Sequence, residues 1–191
     1  MKKHITPFML LSLLLAGCVN DDDTTLPPYE QLVYLQDFEE AQDNTILDIT
    51  GFTNYSETGT SLWTEQLFDN NGYTEFTNTT ETSAVGWLVT PAINLGIIQR
   101  TLRFQSAQHH MPQDGSKLEV FIASDFNGTD VTAANWVPLE AKTPDIYTDW
   151  YKFISSGEIN LAQYSGVVHI AFRATHATSA SGYYIDNVKV Y

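Results

Sequence analysis

The chemistry open to this sequence rests first on two carboxylates. Glu39 closes the largely apolar run Leu32–Phe38, and Asp186 lies inside the terminal stretch Tyr183-Tyr184-Ile185-Asp186-Asn187-Val188-Lys189-Val190-Tyr191. Read as a strand, that stretch sends Tyr184, Asp186, Val188 and Val190 to one face and Ile185, Asn187, Lys189 and Tyr191 to the other. Asp186 therefore falls on the more apolar face, where an unpartnered charge is strongly unfavourable. If the first and last strands are neighbours, Glu39 and Asp186 meet, and two like charges at contact would force one to hold a proton. A hard cation removes the conflict. Calcium takes about six to eight oxygens at ~2.3–2.6 Å, and Asp37, Asp43 and Asn44 supply further oxygens close by in the chain. The local alternatives are that Asp186 caps backbone N–H groups or pairs with Arg173 or Lys189.

Other polar groupings carry less. Asp125-Phe126-Asn127-Gly128-Thr129-Asp130 has the look of a helix-loop-helix calcium loop, but Trp136 stands where the bidentate Glu belongs and the flanks are strand-like. It reads as a turn, with Gly128 at positive φ. Adjacent histidines on a strand point to opposite faces, so His109 and His110 are not expected to chelate one ion. No Gly-x-Ser-x-Gly elbow is present. A glycosidase needs only two carboxylates about 5–10 Å apart, so a carbohydrate-active enzyme using such a pair is one alternative to a non-catalytic binding protein, and a purely structural surface or assembly component is the other. Among the aromatics, Trp87 between Gly86 and Leu88 reads as core, while Trp63 and Tyr73, in a weakly patterned region, are the expected sugar-stacking surface.

The elements that must position these groups are strands. Leu32–Glu39 is the first, followed by short segments near Phe52–Tyr55, Leu62–Phe68 and Tyr73–Asn78 separated by Gly and Asn-rich turns. Gly86–Leu95, Thr101–Gln108, Lys117–Ser124, Trp136–Glu140, Trp150–Ser155, Val167–Ala174 and the terminal strand complete the series. Leu102, Phe104 and Ser106 alternate with Arg103 and Gln105, and Val168, Ile170 and Phe172 with His169 and Arg173, so each of these strands has one buried face. Pro91 cannot donate to a ladder and marks an edge or a bend. With no convincing helix period anywhere, the expectation is an all-β, two-sheet antiparallel sandwich of jelly-roll type.

Composition sets the surroundings. With 9 basic and 23 acidic residues the chain carries a formal charge of −14, which repels phosphate backbones and argues against nucleic acid as a partner. Residues 1–17 read as an export signal, with Lys2-Lys3 ahead of the apolar run Phe8–Leu15. Leu15-Ala16-Gly17-Cys18 resembles a bacterial lipobox, and Cys18 is the sole cysteine. That pattern implies palmitate or similar lipid on Cys18 and an outer-membrane anchor. The acidic run Asp21-Asp22-Asp23 and Pro27-Pro28 make residues 18–30 an extended tether; the acidic run also resembles an outer-face export signal. The domain is expected to span residues 31–191.

Trp87-Leu88-Val89-Thr90-Pro91-Ala92-Ile93-Asn94-Leu95, the strand Leu118–Asp125 with Asn127-Gly128-Thr129-Asp130, Ile170-Ala171-Phe172-Arg173 and Tyr184-Ile185-Asp186-Asn187-Val188 together resemble the choice-of-anchor J domain, related to cleaved-adhesin and MAM-like modules. The resemblance implies a jelly roll acting as a surface adhesin or binding module rather than an enzyme, for glycans or cell-surface partners. It also implies a structural calcium where the chain ends meet, with Phe38-Glu39 and Asp186 matching the family positions. Asp43 and Asn44 complete the expected metal set. The Gly-Trp that often follows the first strand in that family is not evident here.

Overall fold

Alternation builds two sheets. The computed structural model describes residues 29–78, 83–111, 115–145, 149–177 and 181–191, and among them fourteen strands and one short 3-10 turn, Val131–Ala133, account for the regular structure. The strands are β1 (Tyr34–Gln36), β2 (Thr45–Ile46), β3 (Thr53–Thr58), β4 (Thr64–Phe68), β5 (Asn71–Asn78), β6 (Ala84–Val89) and β7 (Ile93–Asn94). The second half adds β8 (Thr101–His109), β9 (Lys117–Ala123), β10 (Val137–Leu139), β11 (Ile154–Ser155), β12 (Ile159–Asn160), β13 (Val167–His176) and β14 (Ser181–Val190). All pairings are antiparallel. The larger sheet runs β11-β8-β14-β5-β4-β2, with β1 on β14 and β12 on β8; the smaller runs β10-β9-β13-β6-β3, with β7 on β13. The all-β sandwich expected from the sequence is thus present. The segment Gln31–Tyr191 forms one compact unit. Cys18, its signal and most of the tether lie outside the described residues.

Alternating apolar residues close the two sheets over one core. From the larger sheet come Phe76, Leu102, Phe104, Tyr183 and Ile185, and from the smaller Leu88, Val120, Ile122, Ile170 and Phe172. Phe104 meets Phe172 edge-on across the interface at 5.0 Å. Gly86 is needed where it stands, because a Cβ there would sit 2.0 Å from the Phe76 ring. A second cluster, with Trp87, Phe126 and Val131 among its members, packs on the far side of the smaller sheet under the 125–136 loop. That loop is the turn expected. Gly128 has φ of 87°, Asp125 accepts from Asn135, and Asp130 caps the 3-10 turn.

Two local expectations change. Pro91 ends β6 in the sheet interior rather than at an edge: β6 and β7 both pair with β13, and the Thr90 hydroxyl accepts the Ile170 N–H across the break. The terminal strand does not keep one alternation. The register shifts between Asp186 and Lys189, with Asn187 at φ of 52°. This bulge inserts an extra residue, so Tyr183 and Ile185 before it and Val188 and Val190 after it all join the core. Asp186 therefore shares the outer face with Tyr184, and not a face with Val188 and Val190.

Candidate functional site

The outer face of the larger sheet carries an aromatic cleft. Tyr73 and Glu75 project from β5, Tyr184 from β14, and His109 ends β8. Pairing sets Tyr184 beside Glu75 and Ala107, and Gly182 beside Thr77 and His109. Ala107 and Gly182 are small, which leaves room above the strands for the chain from Asp149 to Phe153. That segment is held by the Tyr151 N–H donating to the Gln108 carbonyl at 2.8 Å, with Asp149 and Tyr151 both at positive φ. Phe68, 75% exposed at the end of β4, forms the opposite wall. The result is a cleft of about 380 Å³ lined by Phe68, Tyr73, Tyr151, Phe153 and Tyr184. Tyr73 stands at 67° to both Tyr184 and Phe153, with centroids 5.1 and 5.7 Å away. The rings enclose a space rather than stacking into it.

Beneath the rings lies a polar pair. His109 Nε2 is 3.0 Å from Glu75 Oε1, and the imidazole packs with Tyr151 and Tyr184 in a three-ring cluster, 5.4 Å from each and within 15° of parallel, the two tyrosines themselves 6.1 Å apart. Burial raises the Tyr184 hydroxyl well above its ordinary pKa, and the Glu75 carboxylate adds to it. Burial likewise raises Tyr73, with Glu75 and Asp43 contributing. Both phenols stay protonated and can donate. Among the described residues the lining contains no Lys or Arg, and the nearby carboxylates make the cleft hostile to anions.

The residues singled out in the sequence are distributed as follows. Asp186, 2% exposed, accepts from the Asn187 backbone N–H and from the Asn71 and Asn187 side-chain amides at 3.2 and 2.9 Å. Burial raises its pKa, opposed by these bonds, and the Glu39 carboxylate raises it further. Glu39 and Asp186 are thus within electrostatic reach, next to the cleft floor, since Asn71 and Tyr73 share a face of β5. Asp43 and Asn44 are engaged elsewhere: Asp43 accepts the Leu67 N–H at 3.0 Å and the Asn44 amide at 2.7 Å. Among the described residues no group of three or more His, Cys, Asp or Glu is placed to hold a metal ion.

Tyr73 lines the cleft. Trp63 is a correction: it is 0% exposed, its ring centroid 5.5 Å from that of Phe76, so it cannot stack on an external sugar. Thr64, Glu65 and Gln66 follow it in sequence, yet Asn54 bonds both backbone groups of Trp63, and the indole turns inward. The cleft residues that sequence reasoning passed over are Phe68, Tyr151, Phe153, Tyr184 and His109. One signal was present, because in Tyr183-Tyr184 on a strand one ring must face outward.

No family model matches the sequence, and no curated protein matches it. Solved structures do match in fold. The K1 cleaved-adhesin domain of Lys-gingipain from Porphyromonas gingivalis W83 superposes with a TM-score of 0.55 at 16% identity, over 83% of this chain and 96% of that one. The K2 cleaved-adhesin domain of Lys-gingipain gives 0.56 at 14% identity, over 83% and 98%. TmCBM61, solved in complex with beta-1,4-galactotriose, gives 0.52 at 14% identity, over 81% and 93%. The chain shares the fold of these adhesin and carbohydrate-complexed domains.

Proposed function

We propose that the chain is a non-catalytic module that binds neutral glycans, held at the outer face of an outer membrane by lipid on Cys18. The observation that carries this reading is the aromatic cleft. Sugar rings offer C–H faces that pack on aromatic rings and hydroxyl rims that need a few placed polar partners. Tyr73, Tyr151, Phe153, Tyr184 and Phe68 supply the faces, and the Tyr hydroxyls with the Glu75–His109 pair supply the polar rim. Glu75 is occupied by His109, which suits positioning rather than proton transfer to a substrate. The absence of a lining cation disfavours uronic or sulfated chains. Support in fold comes from the carbohydrate complex and from the gingipain adhesin domains, in keeping with the choice-of-anchor J resemblance.

A structural calcium belongs to the same reading. Asp186 is a buried carboxylate whose partners are amides and on which the Glu39 carboxylate acts unfavourably, an arrangement a hard cation fits. Asp186 and Glu39 would be its charged ligands, with carboxamide oxygens of Asn71 and Asn187 turned toward it. Its contribution would be to cancel repulsion and fasten β14 to the chain after β1.

Glycan-array binding by a soluble form starting at Pro27, with calcium and with chelator, tests the reading. Neutral glycans should bind, and Tyr151→Ala should weaken the best of them by about 2 kcal/mol, roughly 30-fold. Binding of no glycan in either condition sinks the glycan assignment and leaves a protein partner. Palmitate incorporated by Cys18→Ala at the wild-type level sinks the anchor.

A further inference from the structure

His109 ends β8, and His110 follows it with φ of 53°. The positive φ breaks the strand alternation. Rings that extended backbone would send to opposite faces instead meet, with their Nδ1 atoms 3.1 Å apart. Two nitrogens bound to one cation through ~2.0–2.1 Å bonds, at angles near ~90–110°, lie ~2.9–3.4 Å from each other. The observed separation also suits one shared proton between the rings, which a bound cation would replace. His109 Nε2 faces Glu75 Oε1 at 3.0 Å. Donation there leaves the lone pair on Nδ1, the side that faces His110, and a carboxylate behind an imidazole is the usual device for orienting a metal-binding histidine. The Tyr151 and Tyr184 rings pack against His109 at 5.4 Å each and against one another at 6.1 Å, and the Trp150 ring centroid lies 4.0 Å from that of His110. The pair is ordered before any ion arrives, and His110 is exposed to receive it.

We infer that His109 and His110 form a two-nitrogen site for a late divalent transition ion at the rim of the aromatic cleft. Imidazole donors favour Cu2+, with Ni2+ and Zn2+ weaker, and do not favour hard calcium. No third His, Cys, Asp or Glu among the described residues completes the set, so water or a ligand hydroxyl fills the remaining positions. The site is separate from the carboxylates at Glu39 and Asp186, and it stands whether or not the cleft binds glycans.

The test is a Cu2+ titration of the whole chain in detergent, with calcium present to occupy oxygen sites, read by quenching of tryptophan fluorescence. One saturable step is expected, weakened at least tenfold by His110→Ala and about tenfold by Glu75→Gln. Electron paramagnetic resonance of the one-to-one complex should show two coupled nitrogens, one of which His110→Ala removes. Equal affinity for wild type and His110→Ala overturns the inference, as does a wild-type spectrum without nitrogen coupling, which requires no variant.

Discussion

Gly182→Ala tests the architecture of the cleft floor at a single atom. Gly182 is not at positive φ, so alanine adds no backbone strain, and the whole effect is steric. An ideal Cβ there would lie 2.4 Å from His109 Nε2, 2.8 Å from His109 Cδ2 and 2.7 Å from Glu75 Oε1. Carbon needs roughly 3.5 Å from such neighbours, so the bonded pair must move by about 1 Å. Glu75 can swing, but the His109 ring is packed against Tyr151 and Tyr184. The expected cost is that of overpacking a filled site, about 1–3 kcal/mol. For a domain of this size that lowers Tm by roughly 2–10 °C. Displacing His109 also tilts Tyr151, so glycan affinity should fall at least tenfold while far-UV circular dichroism keeps its β signature. Differential scanning calorimetry and the glycan assay on the same preparation decide it. An unchanged Tm with unchanged affinity would refute the close packing of Gly182, His109 and Glu75.

Three further outcomes follow from particular contacts. Trp63→Ala should cost about 3–5 kcal/mol by emptying the space beside Phe76, and the folded fraction should bind ligand normally; a selective binding loss at full stability would return Trp63 to the surface. Asp186, raised chiefly by burial, keeps its proton to a higher pH in the folded state than in the unfolded one. Its contribution to stability therefore falls as pH rises from the ordinary aspartate value through the folded value. In chelator at neutral pH, Asp186→Asn should melt no lower than wild type, and in calcium it should melt lower; the reverse order in chelator would show that the amide bonds outweigh desolvation. Glu57 is held below its ordinary value first by hydrogen bonds from Arg173, which also bonds Glu119 at 2.8 Å. That stabilisation is present above the ordinary glutamate value and is lost as pH falls through the folded one. Arg173→Met should cost about 1 kcal/mol at neutral pH, as expected of a half-exposed pair, and flatten the acid limb of the stability profile; an unaltered acid limb would show that the pair is solvent-screened.

Much of the sheet framework was legible because period-two alternation depends only on neighbours in sequence. Leu102, Phe104, Ile170 and Phe172 face the core as their spacing requires. The two-residue strands β2 and β12 escaped notice, since two residues display no period and are defined by the partner they bond. The candidate site was less legible. Tyr73 could be named from its surroundings, but Tyr151 and Phe153 join it only through a loop that crosses β8 and β14, a contact spanning roughly two fifths of the chain. Trp63 was misplaced because the irregular pattern around it, with Leu62 and Trp63 adjacent and polar residues after them, does not reveal the Asn54 contacts that fix its backbone.

The terminal strand separates the two kinds of information. Its composition alone determined that it is a strand, that it carries a carboxylate in apolar company, and that Asp186 would need partners. Its place at the centre of the larger sheet, between β8 on one side and β5 then β1 on the other, came only from pairing. The bulge at Asn187 decided the rest. One residue in the left-handed region moves every later side chain to the opposite face, so Asp186 lies with Tyr184 on the outer surface while Val188 and Val190 return to the core. A strict alternation read from sequence cannot anticipate that shift, because the bulge is held by the Asp186 carboxylate and by Gln105 of a neighbouring strand. The same physics brought His109 and His110 together: a single positive φ, fixed by tertiary contacts, reversed what local geometry dictates.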